Sequence, residues 1–169
     1  MLRLTFACAA ASLIMGCAAK GDAPPPPALE LTGRVVDAAD IIATPVEAQL
    51  TSQLEQLEAD TGVQLVVATT PSLEGKDILV YSVDLARAWG IGDAKRNDGL
   101  MLLVAPNERE VRIEVGYGLE STVKDEEADE ILQQAVLPEF RKGSFERGIM
   151  QGVDRLILEV TPAEMKEAA

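Results

Sequence analysis

Three carboxylates and one amide stand where they could share a ligand. Asn97 and Asp98 precede an apolar run, Leu100 to Ala105; Glu120 follows the turn Gly116-Tyr117-Gly118, and Asp125 comes a few residues later. The apolar run and the alternating stretch Val111 to Val115 read as two strands joined at Pro106-Asn107. If they pair antiparallel, the start of the first lies beside the end of the second, and Asp98 meets the 116–120 loop at one sheet edge. The rest of the composition narrows the chemistry available there. With no histidine in the chain, a Ser-His-Asp triad, a histidine phosphatase and imidazole metal sites are excluded. A Walker loop and a dinucleotide fingerprint are missing too, because Gly116-Tyr117-Gly118 lacks a third glycine and a following βαβ unit. What remains is carboxylates, amides, hydroxyls and carbonyls, the donors of a hard cation such as Ca²⁺, which takes about six to eight oxygens.

Asp98, Glu120 and Asp125, with Asn97 and loop carbonyls, are therefore the expected calcium ligands. Each also has a plainer use. Asp98-Gly99 can simply turn the chain, Asp125 can cap a helix for about 1 kcal/mol, and Glu120 can be solvated. Asp37 and Asp40 are secondary candidates. The helix that follows them is roughly 25 Å long at about 1.5 Å per residue and runs back along the next strand, which places its start at the far edge from Asp98. Arg112 and Glu114 read as a charge pattern on the strand's outer face, and Trp89 as packing.

The elements that must hold these residues are legible in order. Leu29 to Val36 is an extended piece. Thr44-Pro45-Val46-Glu47 predicts a helix start, with Thr44 as the cap and Glu47 closing a capping box. Val46, Leu50, Leu54 and Leu57 form its apolar stripe, and Gly62 ends it. Val63 to Thr69 is a buried strand. Ile78, Tyr81 or Ser82, Leu85 and Trp89 outline a second helix closed by Gly90-Ile91-Gly92, so strand, helix and strand 100–105 make a right-handed βαβ unit. A third helix is capped by Asp125, carries Ile131, Leu132, Ala135 and Val136, and stops at Pro138. The last begins near Ser144, with Phe145, Ile149, Val153, Leu156, Ile157 and Val160 on one side. The expected fold is α/β: a three-layer α/β/α sandwich on a small mixed sheet, the βαβ unit plus an antiparallel hairpin strand.

Residues 1–16 have the layout of a signal peptide: Arg3, an apolar stretch from Leu4 to Met15, and Gly16-Cys17. The stretch is shorter than the roughly 20 residues a spanning helix needs. Ile14-Met15-Gly16-Cys17 resembles a bacterial lipobox, in which Cys17 is lipidated and becomes the mature N-terminus; plain signal cleavage elsewhere is the alternative. Ala18 after it resembles the outer-membrane sorting pattern of a Gram-negative host. The other cysteine, Cys8, leaves with the signal, so the mature chain has no disulfide. Residues 17–30 are a tether whose Pro24 to Pro27 favour an extended spacer of about 3.1 Å per residue. The domain spans 31–160, and 161–169 is a tail expected to fray. The net charge of −13, one more negative once Arg3 is removed, argues against nucleic acid and anionic lipid as partners; it suits cationic ones, though a solvated acidic surface that serves solubility alone is its commoner meaning.

Val36-Asp37-Ala38-Ala39-Asp40-Ile41-Ile42, Trp89-Gly90-Ile91-Gly92, Asn97 to Val104, Arg109 to Glu120 and Pro138 to Gly143 together resemble the TPM domain. The run Gly116-Tyr117-Gly118-Leu119-Glu120 is the most specific part, and the resemblance covers roughly Leu31 to Val160. It implies an α/β/α sandwich attached to a bacterial envelope or thylakoid. It also implies links to acid phosphatase activity, calcium binding and maintenance of photosystems or membrane complexes. Where this family often has two asparagines before the glycine, the chain has Asn97-Asp98, an added carboxylate. The functional expectation is a lipid-anchored envelope module, non-catalytic and calcium-binding, that engages an envelope protein and uses no nucleotide cofactor. The alternative is a weak metal-dependent acid phosphatase, for which Arg141-Lys142 is a poor phosphate cradle. A structural envelope domain without a ligand is the third.

Overall fold

Alternation along the strands decides which helix covers which face. The computed structural model describes residues 29–166, so the signal peptide, Cys17, most of the tether and the last three residues of the tail lie outside the described residues. The elements are β1 (Val35–Asp37), α1 (Thr44–Thr61), β2 (Gln64–Thr69), α2 (Ile78–Trp89), β3 (Gly99–Ala105), β4 (Glu110–Val115), α3 (Asp125–Ile131), α4 (Leu137–Arg141), α5 (Phe145–Val160) and α6 (Ala163–Lys166). The sheet order is β1-β2-β3-β4, with the first three strands parallel and β4 antiparallel to β3. Leu65, Val67, Leu100, Leu102, Val104 and Ile113 face a core closed by α1, α3 and α5. Ala68, Met101, Leu103 and Ala105 face the other way, against Leu73 and α2. The α/β/α sandwich is thus built from period-two strands that bury both faces.

Both crossovers, β1-α1-β2 and β2-α2-β3, step the same way across the sheet, yet α1 and α2 lie on opposite faces. The two cannot share a hand, so one departs from the usual right-handed rule. The extended piece before α1 ends as a sheet strand; three residues are too few to show a period. The expected tail contains a short helix, α6.

Three helix ends differ from expectation. Ala43, not Thr44, is the cap of α1, and its N–H is taken by the Glu146 carboxylate of α5 at 3.2 Å, a contact 103 residues away in sequence. Lys124, not Asp125, caps α3, and Glu127 accepts its N–H at 3.0 Å. Pro138 does not stop the third helix. The chain passes through a π-helical turn at Leu132–Val136, where Leu137 N–H reaches the Leu132 carbonyl, and α4 then carries Pro138 near its start, where a missing donor is tolerated. Gly148 and Gly152 let α5 approach this bend: a Cβ at Gly152 would sit 2.7 Å from Val136 Cγ2, and one at Gly148 2.6 Å from Phe140 Cδ1.

Candidate functional site

The edge where β3 starts and β4 ends is held together by backbone packed on backbone. Gly116 N–H donates to the Gly99 carbonyl at 2.8 Å, and Gly118 N–H to the Asn97 carbonyl at 3.0 Å. A Cβ on Gly116 would collide with the Asn97 carbonyl and one on Gly118 with the Arg96 carbonyl. Gly92 and Gly99 meet in the same way, and Gly92 N–H is bound by Gln64 Oε1 at 2.7 Å. The Gly-Tyr-Gly run is therefore a packing device that seats its loop on residues 96–99, which in turn pack on Gly92.

Asp98 is buried and serves that joint. Its Oδ1 accepts the Asp93 N–H at 2.8 Å and its Oδ2 accepts Arg96 Nε at 2.5 Å. Burial alone would push the carboxyl up. The Asp93 N–H and the Arg96 guanidinium outweigh it and hold the group below the ordinary carboxylate range. Asp93 is lowered by the Lys95 and Arg96 N–H groups, and Arg96 is raised by its bond to Asp98. Both oxygens of Asp98 are thus already engaged.

The other expected ligands surround a groove of about 740 Å³ that runs along β4. Asn97, Glu120 and Asp125 line it; Asp98 does not. Asn97 and Glu120 are exposed, as is Asp125 in the first turn of α3. Asp93 and Asp129 also line the groove, and neither was a candidate. Asp129 lies one helical turn beyond Asp125, a spacing visible in the sequence, whereas nothing in the sequence pointed to Asp93. Among the described residues no group of three or more carboxylate or cysteine side chains is placed to hold a metal ion. The residues do not fit a closed calcium shell as they stand.

One wall of the groove is α2, with Leu79, Val83, Ala86 and Arg87; the other is α3, with Asp125, Ala128 and Asp129. On the α2 side, Glu114 Oε2 accepts Arg112 Nε and Ser82 Oγ, each at 2.9 Å. This network ties the strand's charged face to α2. Ser82 enters it as a buried hydroxyl, where the sequence offered it only as an alternative to Tyr81 on the helix stripe.

Asp37 and Asp40 lie at the opposite end of the sheet. Asp37 pairs in register with Thr69, which pairs with Val104, whereas Gly99 pairs with Gln64 at the other end. Asp37 Oδ2 accepts the Ile42 N–H at 2.8 Å, and its Oδ1 accepts Thr69 Oγ1. Asp40 is exposed with φ 54°, a turn conformation that aspartate tolerates. This pair shapes the turn into α1.

The family model of the TPM domain matches residues 35–159. No curated protein matches the chain. The N-terminal domain of a P. gingivalis protein, solved by NMR, is similar at 31% identity and TM-score 0.71, over 76% of this chain and 82% of that one. The N-terminal domain of the cg2496 protein of Corynebacterium glutamicum is similar in fold at 17% identity and TM-score 0.61, over 77% and 81% of the two chains. The BA42 protein of Bizionia argentinensis is similar in fold at 18% identity and TM-score 0.63, over 72% and 82%. With the matched region running from β1 to the end of α5, this chain belongs to the TPM-domain family.

Proposed function

We propose that this chain is a lipid-anchored module of a bacterial cell envelope that acts by holding a protein partner in the groove beside β4, and not by catalysis. The observation that carries the reading is the groove itself: acid-rimmed, walled by apolar residues of α2, and with the hydroxyl–carboxylate pair at its side, buried Ser82 and partly buried Glu114, tied to Arg112. Among the described residues its rim sets Glu120, Asp125 and Asp129, none in a salt bridge, against the single unpaired cation Arg87. That charge balance repels a phosphate monoester and favours a basic partner. Calcium enters only as a weak, largely hydrated occupant of this rim, and nothing in the reading depends on it. Anchoring rests on Cys17 and its flanking sequence. The test is photo-crosslinking in the intact envelope with benzoylphenylalanine at Leu79, in the groove, or at Gln56, which lies outside it. A discrete adduct from position 79 alone is the expected outcome; equal labelling from both positions removes the groove from the reading.

A further inference from the structure

We infer that the partner segment binds as a fifth strand: an extended stretch alternating apolar and basic residues adds to the free edge of β4. This inference rests on the groove reading above and names what fills the groove.

The register decides which backbone groups are available. In an antiparallel pair, residues that exchange hydrogen bonds with the neighbouring strand alternate with residues whose N–H and C=O point away. The Gly116 bond to Gly99 sets the phase. Arg112 and Glu114, opposite Leu103 and Met101, bond to β3; Val111, Ile113 and Val115, opposite Val104, Leu102 and Leu100, turn their N–H and C=O groups outward. No strand among the described residues lies beyond β4. Long free edges are usually shielded, and here the other edge, β1, is only three residues long. β4 has six residues and no proline, and its edge opens into the groove.

The two walls specify the side chains of an added strand, which alternate between them. Towards α2 they meet Leu79, 49% exposed, with Val83 and Ala86. Towards α3 they meet Asp125 and Asp129. Apolar residues therefore point to α2 and lysine or arginine to α3. The 74% exposed ring of Tyr117 stands at one end of the groove. Two other occupants fit less well. The preceding stretch of this chain carries Pro24 to Pro27, which cannot donate to a ladder. A second copy has a self-complementary Arg112/Glu114 pattern, but its own edge is recessed between helices and both copies carry a large negative charge.

The test uses the full-length chain in detergent and a capped octapeptide of alternating valine and lysine, with residue-resolved amide exchange by NMR. Binding is expected to slow exchange at Val111, Ile113 and Val115 by about tenfold or more and to leave Arg112 and Glu114 unchanged. Asp125→Asn with Asp129→Asn, both exposed positions, should weaken binding about fivefold. N-methylation of alternate peptide amides should abolish it. The inference is overturned if the peptide does not bind at millimolar concentration, binds without protecting those three amides, or is matched by a valine-glutamate peptide. Concentration-dependent protection without peptide, with dimer in sedimentation, would assign the edge to a second copy and also overturn it. If the Leu79 adduct persists while peptide protection fails, strand pairing falls and the groove reading stands. Loss of the adduct with peptide protection intact removes the native partner and keeps the edge chemistry.

Discussion

A carboxylate before a glycine at a sheet edge reads as a free ligand, but the surroundings of Asp98 make it a structural anchor instead. One buried carboxylate closes the 93–98 loop through an N–H and a guanidinium. Charge-assisted bonds of this kind contribute roughly 1.5–3 kcal/mol, discounted here because Arg96 is 60% exposed. Asp98→Ala should therefore lower stability by about 2 kcal/mol in urea unfolding. The sign of its pH dependence follows from its lowered carboxyl. Its contribution is fully present above the ordinary aspartate value of 3.8 and is lost as pH falls through the lower folded value. Asp98→Asn should thus flatten the acid limb of a stability-against-pH curve below about pH 4. An unchanged limb would mean that Asp98 is not held as described.

At the scale of elements, close backbone approach does work that side-chain patterns do not reveal. Gly118→Ala brings a methyl group into the Arg96 carbonyl, a backbone atom that cannot swing aside. Overpacking of this kind costs about 1–3 kcal/mol, and the loop is pinned on both sides, so the upper end is expected in thermal unfolding. Gly152→Ala meets the Val136 side chain at the π-helical turn, where a partner can shrink. The single substitution should destabilise by about 1–2 kcal/mol, and adding Val136→Ala should recover part of the loss. Additive losses in that cycle would show that the contact does not limit the approach of α5. Pro138 teaches the same lesson. A proline reads as a stop, but a π-helical turn just before it rearranges the ladder and the helical path continues.

At the scale of the molecule, the acidic rim and the free strand edge face one groove, so a segment docked there would meet charge and backbone pairing together. Any calcium taken up there is expected to bind weakly, with Kd on the order of 10⁻⁴–10⁻³ M, because water must supply most of the shell. Titration calorimetry should show that weak heat disappearing in Glu120→Gln/Asp125→Asn and surviving in Asp98→Asn. Loss in Asp98→Asn instead would return the ion to the buried loop. Among the described residues no helix is long and apolar enough to cross a membrane.

The three longer strands, the main helices and the two-sided core could be read from the residues alone, because period-two and helical stripes record burial directly; the family was legible through the resemblance of its motifs. The Gly-Tyr-Gly run was equally legible as a motif, though not as a joint between loops. Tertiary structure alone decided the rest. It made β1 a strand, occupied both oxygens of Asp98, and gathered Asp93 and Asp129 at a groove whose walls, α2 and α3, are far apart in the chain. Hydrogen-bond partners and free edges depend on which backbones come into register. Local sequence carries the propensity to pair, whereas the free edge of β4 is defined only once four strands have been ordered.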